Sequence, residues 1–317
     1  MAVNYLTTRG VIGSFYHALS VASGASWVDQ VSNYFQSNQL TETYAFLNQV
    51  YGLREWVGER MARHLSENSF TIRNKHYEDT LAVGVSTKRR DKSDQVQIRI
   101  NEMARRSVSW WASALSTLIL NAASTTCYDG QYFFDTDHSE GDSGTQSNSI
   151  SADISTYPVA TAGSTTVPSV GEAQYAIYAA IAQILGFKDN TGEPMNEDAR
   201  DFLIMCPLSL YKILGQAVNT AGQVAESQTA MDALKGEFSM RVVPNPRLST
   251  WTANFAVFRT DSYLKSFIRQ EETGVQMKAL AEGSDHEFLH DEHLFGIDTW
   301  RNVGYGFWQN SCLVTLV

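Results

Sequence analysis

The chain has 317 residues, enough for one large core or two modest ones, with the hydrophobic and charged fractions (43% and 18%) of an ordinary folded protein. Its formal charge of −10 excludes a dedicated nucleic-acid binder, which neutralises phosphates with surplus Lys and Arg. The three cysteines, Cys127, Cys206 and Cys312, form no close pair, which excludes a disulfide framework and predicts buried free thiols.

The opening MAVNYLTTRGVIG lacks a basic stretch followed by an apolar one, so no signal peptide is expected. Residues 1–65 read as an arm rather than a domain. They lack a sustained period and carry exposed-looking aromatics, among them Trp27, Tyr34, Phe35 and Trp56, that need a partner surface. Residues 66–93 hold two β-prone runs, FTIRNKHY and TLAVGVST, and read as a long polar hairpin. The hairpin is basic, through Arg73, Lys75, Lys88, Arg89, Arg90 and Lys92. Residues 71–106 carry a local +4, leaving −14 on the remainder; on composition alone this reads as a solvated basic loop, although such a segment can contact other copies of an acidic body.

QVQIRINEMARRSVSWWASALSTLILNA (95–122) is the clearest helix, with Val96, Ile100, Met103, Ser107 or Val108, Trp111, Leu115, Leu118 or Ile119, and Ala122 at three- and four-residue steps. Ser93 or Asp94 is placed to cap it, and its length would be about 40 Å, that of a strut. Trp110 and Trp111 are adjacent and are not expected to face one core, so one should meet another element or another subunit. WWASALSTLILNAA (110–123) is too short and too polar for a membrane span.

Ser/Thr/Gly-rich connection follows over 124–168, then an amphipathic helix over 169–187 and a buried strand DFLIMC. PLSLYKILGQAV reads as a helix with Pro207 in its first turn. Short strand-like pieces fill the rest, so the fold class is α+β in mixed order, without βαβ alternation or repeats.

Two motifs invite chemistry. HEFLH (286–290) matches H-E-x-x-H, in which His286 and His290 would hold zinc and Glu287 would activate its water. Gly283, Ser284 and Gly296 leave little room for the usual long helix, and no later helix offers a third ligand. A polar strand–turn with surface histidines is the better reading. DTDHSEGD (135–142) resembles a calcium loop, but Glu140 and Gln146 occupy the places that need Gly and Glu. That leaves an irregular ion site at Asp135, Asp137 and His138, or a turn whose Asx side chains bond their own backbone. No catalytic residues, cofactor or metal centre are expected.

YAFLNQVYGLREWVGER (44–60) and YDGQYFFDTDHSEGDSGTQSN (128–148) resemble signature segments of the major head subunit of Mu-like phages. TIRNKHYEDT (71–80), the long helix and LFGIDTWRNVGYGFWQ (294–309) follow in the same order, so the resemblance spans nearly the whole chain. It implies the HK-97-like phage capsid fold: an N-terminal arm over 1–65, an E-loop over 66–93, a P-domain with a spine helix over 94–168 and 262–304, and an A-domain over 169–261 and 305–317. It also implies a structural subunit that assembles into hexamers and pentamers of an icosahedral head around double-stranded DNA, in the virion, built in the host cytoplasm. Trp27, Tyr34, Phe35, Trp56, Arg73, Lys75, Lys88, Arg89, Arg90, Lys92 and Trp110 are then the expected intersubunit contacts.

The implied partners are other copies, a separate scaffolding protein, a portal, a decoration protein and weakly contacted DNA, with no membrane. A cleaved N-terminal scaffold domain is not expected. Relatives that cross-link join an E-loop lysine to an asparagine, but nothing marks an acceptor for Lys75, Lys88 or Lys92, so no covalent link is expected. The alternatives are an encapsulin-like protein nanocompartment, a zinc metallohydrolase acting through HEFLH, and a tail or baseplate protein assembling in rings or tubes.

Overall fold

The structure is a computed structural model describing residues 7–44, 70–90, 95–159, 161–219 and 236–317. It has two β-sheets joined by one long helix. The first sheet contains β1 (Ser32–Gln36), β9 (Phe267–Leu280), β10 (Glu292–Tyr305) and β4 (Lys75–Gly84), side by side in that order. The second contains β5 (Ser149–Ala152), β11 (Ser311–Leu316), β8 (Asn254–Arg259), β6 (Asp201–Cys206) and β7 (Ser239–Pro244). A two-stranded pair joins β2 (Thr41–Tyr44) to β3 (Phe70–Arg73).

The long helix, α4 (Gln95–Leu120), follows the periodicity of its sequence: Val96, Ile100, Met103, Ser107, Leu115 and Ile119 are all buried. Its first half packs against the four-stranded sheet in a cluster that includes Phe295, Ile297 and Met277. Val11 and Phe15 of α1 (Thr8–Val21) close that cluster, both fully buried. The second half enters the larger core, where Leu115 and Ile119 join β6, β8, β11 and the helices α5 (Val170–Leu185) and α6 (Leu208–Asn219). One helix thus belongs to two hydrophobic cores.

Local chemistry explains the elements of the larger core. Ser169 and Glu172 form a reciprocal capping box at the start of α5. Five consecutive residues of β6, Phe202 to Cys206, are buried, as expected for an interior strand covered on both faces. Pro207 directly precedes α6. All three cysteines are free and buried. At Gly306 an added Cβ would lie 2.4 Å from the Lys265 carbonyl oxygen, so only glycine lets the chain pass from β10 to β11 there.

The structure corrects several expectations. Among the described residues of 66–93 no hairpin forms: β3 pairs with β2, β4 pairs with β10, and Val85–Arg90 is a short helix, α3. Within the expected arm, residues 7–44 are docked, with β1 running parallel to β9. β5 lies in the five-stranded sheet although 94–168 was assigned with the spine. HEFLH lies in a six-residue helix, α7 (Asp285–His290), capped by Ser284 and ended by Asp291 at φ 51°, and not in a strand–turn. The cap expected at Ser93 or Asp94 lies outside the described residues.

The loop between α4 and β5 is held by buried polar groups. Asp129 sits 2.6 Å from Nδ1 of the fully buried His138 and accepts from the Cys127 thiol at 3.0 Å. His138 Nε2 lies 3.2 Å from Oδ1 of Asn148, an oxygen that also accepts the Asp135 backbone N–H. The buried ring therefore has an oxygen facing each of its nitrogens. It stacks on Trp308 at 4.0 Å and 10°.

Burial raises the Asp129 pKa, but hydrogen bonds from His138 and Cys127 outweigh it, and the net shift is downward. A depressed carboxylate adds stability above its unfolded value, near 4, and loses it as the pH falls through the folded value. Stability should therefore fall on acidification below about pH 4, a fall that Asp129→Asn should diminish. At neutral pH that substitution should cost about 3 kcal/mol, read from urea unfolding curves.

Candidate assembly interface

Where α4 crosses from one core to the other, its packing turns from aliphatic to aromatic and cationic. The Arg301 guanidinium of β10 sits 4.4 Å from the Trp110 ring and 5.0 Å from that of Trp111, and its Nη2 donates to the Ser107 carbonyl at 2.8 Å. Arg269 of β9 lies 5.6 Å from both Trp111 and Tyr34. Tyr77 of β4 meets Trp110 edge-on at 4.6 Å. Trp111 packs against the larger core and Arg269, whereas Trp110 meets Tyr77 of β4, so one of the pair meets a further element, as expected.

This site also sets its own electrostatics. Burial pulls the Arg301 pKa down to about 10, which leaves it charged at neutral pH. Burial, then the hydrogen bond to Glu271, pushes Tyr34 up to about 12, and its hydroxyl donates to Glu271 at 2.6 Å.

The expected contact residues separate into three groups. Tyr34, Arg73 and Lys75 are exposed, and Phe35 is half-buried. Trp27, Lys88 and Trp110 are engaged by their own chain: Trp27 is 5% exposed in the larger core, and Lys88 pairs with Glu282 and approaches His293 at 3.3 Å. An aromatic in a non-periodic segment looks unpartnered in sequence, whereas tertiary packing supplies its partner. Trp56, Lys92 and the side chains of Arg89 and Arg90 lie outside the described residues.

The two motifs resolve into structural roles. Glu287 accepts from the Gly283 backbone at 2.7 Å and lies 3.0 Å from Nε2 of His293, so its carboxylate secures a short helix. Asp135, Asp137 and His138 do not converge. Asp135 accepts its own loop's N–H groups, Asp137 is exposed, and His138 turns inward to Asp129 and Cys127. Those last three side chains are chemically able to hold a metal. Their Asp129–His138 distance of 2.6 Å is that of a hydrogen bond, however, whereas two ligands on a tetrahedral zinc stand about 3.3 Å apart.

Some surface features escaped the sequence reading. Phe288 and Leu289 of α7 are 89% and 70% exposed, and Tyr263, between β8 and β9, is 98% exposed. In the sequence they stand as apolar letters flanked by polar ones, with no period to mark them as a surface. The aromatic–guanidinium junction yields one expectation. Trp111→Ala should lower the unfolding free energy of the subunit by about 3 kcal/mol in urea titrations. A change below about 1 kcal/mol would show that the stack does not hold the helix.

Comparisons with known proteins place this geometry. The family model described as "Mu-like prophage major head subunit gpT" matches residues 6–161 and 229–315. The chain is 35% identical over 137 residues to the "Mu-like prophage FluMu major head subunit" of Haemophilus influenzae, a match covering 41% of this chain and 43% of that one. It is 24% identical over 295 residues to the "Major capsid protein" of Escherichia phage Mu, covering 91% of this chain and 66% of that protein. The chain thus spans less than two thirds of the length of these curated relatives.

Among solved structures it resembles the procapsid chain of bacteriophage JBD30, at TM-score 0.54 and 20% identity, with 96% of this chain and 72% of that one covered. It also resembles the virus-like particle of Pyrococcus furiosus, at TM-score 0.52 and 9% identity, with 96% and 98% covered. These likenesses establish the α+β, HK-97-like capsid fold that the sequence resemblance implied. The family model covers well over half of the chain, and the chain belongs to the Mu-like gpT family of major head subunits.

Proposed function

We propose that the chain is the major capsid subunit of a Mu-like phage head. Copies assemble into hexamers and pentamers and then into an icosahedral shell around double-stranded DNA. The family membership carries this reading. The exposed Tyr34, Phe288, Leu289 and Tyr263 support it, since a subunit of a permanent shell leaves apolar groups for its neighbours to bury. Interfaces of the permanent kind bury roughly 2,000–5,000 Å² in total, enough apolar area to drive association.

The net charge of −10 suits a container. A wall that gripped DNA tightly would hinder packing and release, so contacts with DNA are few and weak. The further partners are a scaffolding protein, a portal and a decoration protein, with assembly in the host cytoplasm. The chain is a structural subunit and not an enzyme. The short helix and the engaged Glu287 carboxylate support this over metal-dependent hydrolysis.

Electron microscopy of the purified protein, with and without its scaffold, should show closed polyhedral shells or capsomer-sized rings. A subunit that stays monomeric at tens of micromolar would overturn the reading, and shells filled with protein instead of DNA would make it a nanocompartment. Elemental analysis of the pure protein and of Glu287→Gln should find no stoichiometric zinc in either. Bound zinc together with hydrolysis lost in Glu287→Gln would establish the enzyme instead.

A further inference from the structure

Beside Trp110, α4 and the first sheet line a partly open cavity of about 160 Å³. Its lining includes Met103, Val275, Ile297 and Trp110, with Arg301 as the buried cation. Arg301 is 3% exposed, and its Nε has no hydrogen-bond partner among the described residues. Among those residues no carboxylate comes within ion-pair distance of it. Glu271, its register partner on β9, accepts the Tyr34 hydroxyl instead.

The stacked tryptophans compensate part of the cost of burying this charge, but a guanidinium left short of acceptors in an apolar cavity is the costliest kind of orphan. The acids of the lining are otherwise placed. Glu78 and Asp79 are exposed to solvent, and Asp298 is paired with Lys278 and His76. Arg106, the other cation of the lining, is paired with Glu102. The cavity is the size of one side chain. It borders β4, whose outer edge is unpaired among the described residues.

We propose that this cavity is a socket for one side chain of a second copy of the chain, a Glu or Asp whose carboxylate pairs with Arg301. The proposal rests on the reading of the protein as a shell subunit. A body with 34 acidic and 24 basic residues offers abundant carboxylates, and the complementary charge in the socket selects among them. The docked carboxylate would fix the register between neighbouring copies, because a side chain one position away would leave the guanidinium unpaired.

The test places a photo-reactive p-benzoylphenylalanine at the exposed Asp79, on the cavity lining, in particles assembled from a mixture of isotopically heavy and light copies. Irradiation should link heavy to light chains, the linked peptide should contain Glu or Asp, and dissociated subunits should give no such link. Arg301→Met should raise the concentration needed for assembly by roughly tenfold or more, and Arg301→Lys by less. Replacing the linked acid by its amide should give the same loss without touching the fold of the Arg301 side. Shells that form normally but link only within one chain, or not at all, overturn the socket and leave the shell reading intact. A subunit that never assembles overturns both.

Discussion

Everything in this subunit is arranged around one helix that must satisfy two cores at once. A 26-residue helix has a length of about 39 Å, more than one small core can cover. Its aliphatic stripe therefore runs from Val96 to Met103 in one cluster and resumes at Leu115 in the other. The gap between them holds Trp110, Trp111, Arg301 and Arg269. Planar guanidinium groups lie against indole rings and still donate to backbone carbonyls, as Arg301 does to Ser107, so the junction is filled without an unbroken apolar seam. The relative placement of the two sheets depends on that junction.

The loop after α4 uses a different solution. It has little regular structure, so its backbone groups need partners from side chains. Asn148 serves two of them and one from outside the loop: its amide donates to the Phe133 and Trp308 carbonyls, and its oxygen accepts the Asp135 N–H. Gln146 bonds both the N–H and the carbonyl of Lys188, tying this loop to the turn after α5. Such a network is specific because each partial replacement strands a buried polar group.

What could be read in the sequence was local. The periodicity of α4, the amphipathic pattern of α5 and the apolar run of β6 each specify an element from close neighbours, and each was expected where it occurs. What could not be read was pairing over distance. FTIR joins TETY rather than the adjacent KHYEDTLAVG, since strand propensity is silent about the partner. For His138 the sequence offered an Asx turn or an ion site with Asp135 and Asp137, and gave no sign of Asp129, which the fold brings to it. Trp27 and Lys88 looked available for the same reason. The contact surface between copies was the least legible part, because exposure is a property of the finished fold.

The strand order of the second sheet has a consequence for synthesis. β11, formed by residues 311–316, lies inside the sheet between β5 and β8. Until that segment clears the ribosome, β5 and β8 have no common neighbour and the larger core stays open. The nascent chain therefore cannot present a finished surface to other copies until residues 311–316 have been made.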